Sequence, residues 1–316
     1  MKFKSVLLSC VSALFFVTFA AAQSNVSIGV RGGLTIPGLI GGAGDPVSSN
    51  YSTTSRFGAA VFAEFKINEL FSIQPVLEYS QEGAKRNGMQ ALVATASNPQ
   101  FAGAFSAAWQ SALNDPNASQ LANLPLPAGF PAPPQYLYAD AKRMAKMDYL
   151  MLPILAKFGW NFTKTSPWRA YVSAGPYVGL LINAKNAVKI NGGVYADKSG
   201  GALIQLPSEV TSAIPPPMLP ALTGAVDQIS GGLSANMASN MNRTEDIKDQ
   251  LHPFNWGLEG NIGIHYQITN KNKVFVEIGG NYGMMNIQKS TGNGLYLNGK
   301  NHIGAATVMA GYAYSL

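Results

Sequence analysis

"FNWGLEGNIGIHYQI", residues 254–268, decides the fold. Trp256, Leu258, Ile262, Ile264, Tyr266 and Ile268 share one parity, with Gly260 among them. Asn255, Glu259, Asn261, His265 and Gln267 share the other, with Gly257 and Gly263. A period of two reads as a β-strand with one apolar and one polar face. A soluble sheet would bury the apolar face in a core, so the question is where this strand finds one.

The pattern recurs. It is present in 56–67, where Phe57, Ala59, Val61, Ala63 and Phe65 oppose Gly58, Ala60, Phe62, Glu64 and Lys66. It is present again in 71–80, 148–160, 168–181 and 274–283, and first and last strands are read at 26–34 and 305–316. That makes eight. Short turns at 68–70, 162–167 and 269–273 alternate with long connections at about 35–55, 84–146, 185–253 and 288–302. An even number of strands with short turns on one side and long loops on the other is the requirement of an up-and-down transmembrane barrel. The expected fold is therefore all-β: an eight-stranded antiparallel barrel with two long, partly helical extracellular loops. Its apolar face needs no core, because it faces lipid, and ring closure pairs every backbone group without water.

Composition agrees. Of 316 residues, 47% are hydrophobic and 12% charged, and that charge is about half the usual share for a soluble domain. Residues 1–22 read as a secretory signal: basic "MKFK", apolar "SVLLSCVSALFFVTF", then Ala20-Ala21-Ala22 before Gln23. The mature barrel domain is then 23–316. It has no cysteine, so no disulfide holds it. The competing reading is a lipocalin-like soluble barrel, which would turn Glu64, Glu78, Glu259, Glu277, Arg169 and Lys157 outward. The signal segment and the loop asymmetry favour the outer membrane.

With the apolar face outside, Arg31, Glu64, Lys66, Glu78, Lys157, Arg169, Glu259, His265 and Glu277 point into the lumen. An eight-stranded barrel is only wide enough for side chains to fill. These charges are expected to pair into a structural polar network rather than line an ion path. Trp160, Trp168, Trp256, Tyr266, Tyr312 and Tyr314 lie near strand ends and are expected to form the interfacial aromatic girdles.

The long loops read differently. Residues 99–124 place Phe101, Phe105, Ala108, Trp109 and Ala112 at helical spacing, and 124–135 reads as polyproline II. Residues 214–233 pair a proline run with a helix, followed by Met237 and Met241. Either the helices cap the barrel, or they form an apolar platform for a partner.

These strands resemble the PorT-like family of small outer-membrane barrels of Bacteroidota-type Gram-negative bacteria. The matching pieces are "GVRGGLTI" (29–36), "QPVLEYSQEGAK" (74–85), "YLMLPILAKF" (149–158), "SAGPYVGLL" (173–181) and "AGYAYSL" (310–316). The resemblance implies an outer-membrane barrel and a C-terminal strand read by the barrel-assembly machinery. In this family the last residue is usually aromatic; here it is Leu316.

No nucleophile triad, phosphate loop or metal cluster can be assembled from the sequence, and the three histidines are scattered. No catalytic, cofactor or metal site is expected. The basic excess is small and dispersed, so nucleic acid is not an expected partner. The expected partners are outer-membrane lipid, the assembly machinery and an extracellular or periplasmic protein. The expected role is non-enzymatic, structural or interaction-mediating through the extracellular loops. The alternative is a porin-like narrow channel or a translocon subunit.

Overall fold

The computed structural model describes residues 25–41, 50–93, 103, 105–107, 109–110, 114, 136–289 and 300–316. Its strands are β1 (Val26–Gly41), β2 (Arg56–Lys66), β3 (Phe71–Val93), β4 (Tyr136–Asn161), β5 (Trp168–Tyr195), β6 (Thr244–Asp246), β7 (Phe254–Gln267), β8 (Asn272–Gly283) and β9 (Asn301–Ser315). Two helices, α1 (Ser208–Ala213) and α2 (Leu219–Met241), precede β6. The expected signal segment 1–22 and the polyproline stretch 124–135 lie outside the described residues.

Eight strands close a ring in the order β1-β2-β3-β4-β5-β7-β8-β9, every pair antiparallel; β6 is a short addition on β5. The stagger of this ring can be read from the pairing. Val26 faces Phe65, then Ile73, Ala156, Ala174, Gly260, Gly280 and Ala306, and the circuit returns to β1 at Ile36, ten residues further on. With ~3.3 Å per residue and ~4.8 Å between strands, that stagger sets a tilt of about 40° and a backbone radius of about 8 Å. Such a cylinder has room for side chains and little else.

The period of two holds on every wall. Leu258, Ile262, Ile264, Val276, Ile278, Val172, Val61 and Val308 are exposed on the outer face, while Asn255, Glu259, Asn261 and Glu277 are buried inside. The outer belt is bounded below by aromatic contacts, with ring centroids 4.8 Å apart for Trp168–Tyr266 and 4.9 Å for Phe71–Phe158.

Three strands continue far beyond the belt. The stretches 84–93, 136–147 and 185–195, read from sequence as loop, are strand: β3, β4 and β5 have 23, 26 and 28 residues. At ~2.5 Å of height per residue for this tilt, β5 rises roughly 70 Å, against an apolar band of about 25 Å. The chemistry of the outer face changes partway up. On β4, Leu150, Leu152 and Ile154 give way to Asp148, Lys146, Lys142 and Asp140, while the inward parity is kept by Met147, Ala145, Arg143 and Leu137. Gln81 and Asn183 sit opposite Asp148, so a polar band across β3, β4 and β5 marks the outer edge of the membrane belt there. Above it the sheet is right way round for water, with charged groups such as Lys142 and Lys146 outside and a mainly apolar inner face that also holds Arg86 and Arg143. Gly83, at φ +128°, sits just above this edge; a Cβ there would lie 2.1 Å from the Ala145 carbonyl oxygen.

The projecting sheet is closed by helices. Phe105 and Trp109, in a helical segment, join Leu222, Val226, Leu233, Met237 and Met241 of α2 in one apolar cluster with Leu137, Ala139, Val188 and Val194. The apolar side chains that a partner-binding platform would have displayed are therefore spent inside a cap. The open edge of β5 is also covered. Thr244–Asp246 pairs with Lys185–Ala187, Asn242 Oδ1 accepts from the Ile190 amide, and Ser234 Oγ accepts from the Val194 amide at 2.8 Å. Covered edges do not template pairing with another chain.

Arg at position 262 places a charge inside the apolar band and is expected to cost about 2–4 kcal/mol. Arg at position 144, on the outer face above the polar band, is expected to change stability by less than ~0.5 kcal/mol. Urea unfolding of Ile262→Arg and Met144→Arg in lipid vesicles measures both and locates the membrane edge.

Candidate functional site: the layered lumen

Four inward cross-strand pairs are an aromatic facing a glycine: Phe62/Gly29, Tyr171/Gly263, Tyr177/Gly257 and Phe275/Gly311. A Cβ on Gly263 would lie 2.4 Å from the Tyr171 ring, and one on Gly29 2.3 Å from Phe62. Only glycine lets each ring lie flat across its neighbouring strand. Phe62, Phe275 and Tyr171 meet Val76, Leu155, Ala60 and Ala313 in a compact apolar tier that crosses the lumen. Phe62 and Phe275 pack edge to face with centroids 5.7 Å apart.

One inward step above this tier, on β3 and β8, stand Glu78 and Glu277; Arg31 of β1 and Glu259 of β7 complete the group. Arg31 Nη1 donates to Glu277 Oε1 at 2.6 Å, and Nη2 donates to Glu259 Oε1 at 2.8 Å and to Glu78 Oε2. All four are at least nine-tenths buried. Neutral donors serve other lone pairs: Tyr171 Oη donates to Glu277 Oε2 at 2.7 Å and Asn261 Nδ2 to Glu259 Oε1 at 3.0 Å. Higher still, Glu82 accepts from Ser80 Oγ at 2.8 Å and Asn281 Nδ2 at 3.2 Å. The apolar cap cluster closes the top with Met147, Leu181 and Ile303.

Below the apolar tier lies a second ionic group. Glu64 Oε2 accepts from Lys273 Nζ at 2.9 Å and Lys157 Nζ at 3.3 Å, and its other oxygen accepts from Ser72 Oγ at 3.0 Å. Lys157 Nζ also lies 4.1 Å from the centre of the Tyr171 ring, a cation–π contact. Tyr171 thus touches both ionic groups, one through its face and the other through its hydroxyl.

Of the sequence-derived lumen residues, Arg31, Glu78, Glu259 and Glu277 come together in one group, and Glu64 and Lys157 in another. Lys66, Arg169 and His265 join neither: Lys66 is exposed at the periplasmic rim, and Arg169 donates to the carbonyls of Glu69 and Gly159. All six residues proposed for the girdle are on the outer face, with Trp160, Trp168, Tyr266, Tyr312 and Tyr314 at the short-turn end and Trp256 at the other. Glu82 and Lys273 were missed, because the strands containing them were ended at Ser80 and begun at Val274. The even parity of Gln74, Val76, Glu78 and Ser80 carries on to Glu82, and that signal could have found it. Among the described residues no cluster of His, Cys, Asp or Glu is arranged to hold a metal ion.

A family model described as "Outer membrane protein beta-barrel domain" matches residues 21–289. The chain belongs to that family. It is an outer-membrane β-barrel protein, so the apolar belt faces lipid. Among solved structures it is similar to Neisserial surface protein A (11% identity, 92% of this chain and 97% of that one, TM-score 0.32) and OprG of Pseudomonas aeruginosa (8%, 93% and 97%, 0.35). It is also similar to the attachment invasion locus protein Ail of Yersinia pestis (9%, 92% and 99%, 0.31). No curated protein sequence matches the chain.

A buried carboxylate trio depends on Arg31, its one direct cation among the described residues. Arg31→Met is expected to cost about 3–5 kcal/mol, as loss of one partner from a buried ion pair does. Protons can stand in for the lost charge, so the deficit should shrink as pH falls. Equilibrium unfolding of wild type and Arg31→Met across pH checks both the magnitude and the sign.

Proposed function

We propose that this outer-membrane β-barrel protein is non-enzymatic, and that its barrel is a closed anchor presenting the β3–β4–β5 cap outside the cell to a protein partner. One observation carries this reading. The lumen is filled in tiers, while three strands and a helix are raised well beyond the membrane edge. Outer-membrane lipid contacts the belt, and the barrel-assembly machinery reads the C-terminal strand. The PorT-like resemblance is the finer form of the same reading. In the alternative, a transport or secretion component, the lumen or the periplasmic turns would be the working surface; the packed tiers favour the cap.

The free face of α2 is polar, with Asp227, Gln228, Asn236 and Asn240 exposed and Leu222, Val226, Leu233 and Met237 turned inward. A photo-crosslinking residue at Gln228 or Asn236 is expected to capture a discrete protein partner on intact cells, and one at Asn270 in a periplasmic turn is not. Capture from Asn270 alone would move the working surface to the periplasm and refute the cap reading.

A further inference from the structure

The periplasmic mouth holds groups that neither ionic cluster uses. A cavity of about 360 Å³ opens there, lined by the ends of β2, β7 and β8 and the turns between strands. This lies within the range of small-ligand pockets, roughly 300–1,000 Å³. Its walls carry Lys66, Arg169, Lys273 and His265 against one carboxylate, Glu64.

Glu64 is already answered twice, by Lys273 and by Lys157 beneath it. It cannot also neutralise Lys66 and Arg169. The Lys66 ammonium is exposed and makes no ion pair among the described residues. The Nδ1 of His265 is buried without a hydrogen-bond partner among the described residues. Arg169 spends Nη2 on two backbone carbonyls and keeps its full charge. The remaining lining is rich in amides and hydroxyls, including Asn68, Gln267 and Ser72. The deep end is lined by Glu64, Ser72 and Lys273; past them and Lys157, the apolar tier of Phe62, Phe275 and Tyr171 crosses the lumen, so a solute that enters goes no further. A blind cleft with an excess of one charge sign and low-dielectric walls concentrates ions of the opposite sign.

We propose that this mouth is a binding site for the oxyanion group, carboxylate or phosphate, of a small polar solute in the periplasm. Lys66 and Arg169 supply the charge, and the amides and hydroxyls orient the rest of the molecule. The site is independent of the cap and of any partner bound there.

The test uses the full mature chain refolded in detergent micelles, titrated at low ionic strength with citrate, with inorganic phosphate and with sucrose as an uncharged control, by calorimetry. Saturable binding of at least one anion is expected, with no heat from sucrose, and whichever anion binds identifies the group. Lys66→Glu should weaken binding by roughly tenfold, a difference of about 1.4 kcal/mol, and Lys66→Arg should preserve it. Lys66 is exposed and outside both ionic clusters, so these variants keep the barrel; Arg169→Gln, where it folds, should weaken binding likewise. Failure of both anions to bind saturably, or equal binding by wild type and Lys66→Glu, would overturn the proposal.

Discussion

The guanidinium of Arg31 binds three carboxylates from three other strands in the middle of the barrel. A buried charge is tolerated only when paired and hydrogen-bonded, and here the demand is mutual. Remove the cation and three acids face one another in the middle of the barrel, shielded from bulk solvent. Such a group adds little net stability compared with a well-packed apolar core, but it can fix one arrangement among several. A one-residue slip of β1, β3, β7 or β8 would turn its charged member towards lipid and leave the others unpaired. For this chain, register specification is the role that we assign to the group.

The surrounding layers follow from the same constraint. A ring with a ten-residue stagger leaves a narrow lumen, and its polar contents are shielded from bulk solvent. Three of the aromatic–glycine pairs, Phe62/Gly29, Tyr171/Gly263 and Phe275/Gly311, achieve this on the periplasmic side: each glycine frees the space its facing ring occupies, and the rings meet in one tier. The cap cluster closes the other end. The carboxylate trio therefore lies between two apolar tiers, and Tyr171 connects it to the Glu64 group below. The cost of the inverted wall is met by the membrane. Outward Val, Ile and Leu side chains face lipid, and the backbone is satisfied by closure alone.

The opening stretch shows how far the sequence could be read. Parity alone separated Ile262 and Ile264 from Glu259 and Asn261, and repeated seven times it led to the ring and its number of strands. It also placed Arg31, Glu78, Glu259 and Glu277 inside, though nothing in the sequence said that the four would meet. That depends on the stagger of the ring, which is a property of all eight pairings together. The strand ends were misread for a physical reason. At Gln81, Asp148 and Asn183 the outer face stops being apolar, so the alternation found there was that of the membrane, not that of the strand. Above that edge Lys142 and Lys146 point out while Ala145 and Met147 point in, a pattern that belongs to an ordinary water-facing sheet and was taken for loop. Glu82 lay in that blind zone. The cap was half legible: Phe105 and Trp109 showed helical spacing, but the strands they cover were not recognised as strands.

The central claim is that the tiers close the lumen and that Arg31 holds the middle tier together. Single-channel recording in planar bilayers addresses it most directly. Wild-type protein is expected to insert and pass no resolvable current, whereas Arg31→Ala, with its three carboxylates released from their shared cation, is expected to show flickering cation-selective openings. Steady conductance through the wild-type barrel, unchanged in the variant, would contradict the account.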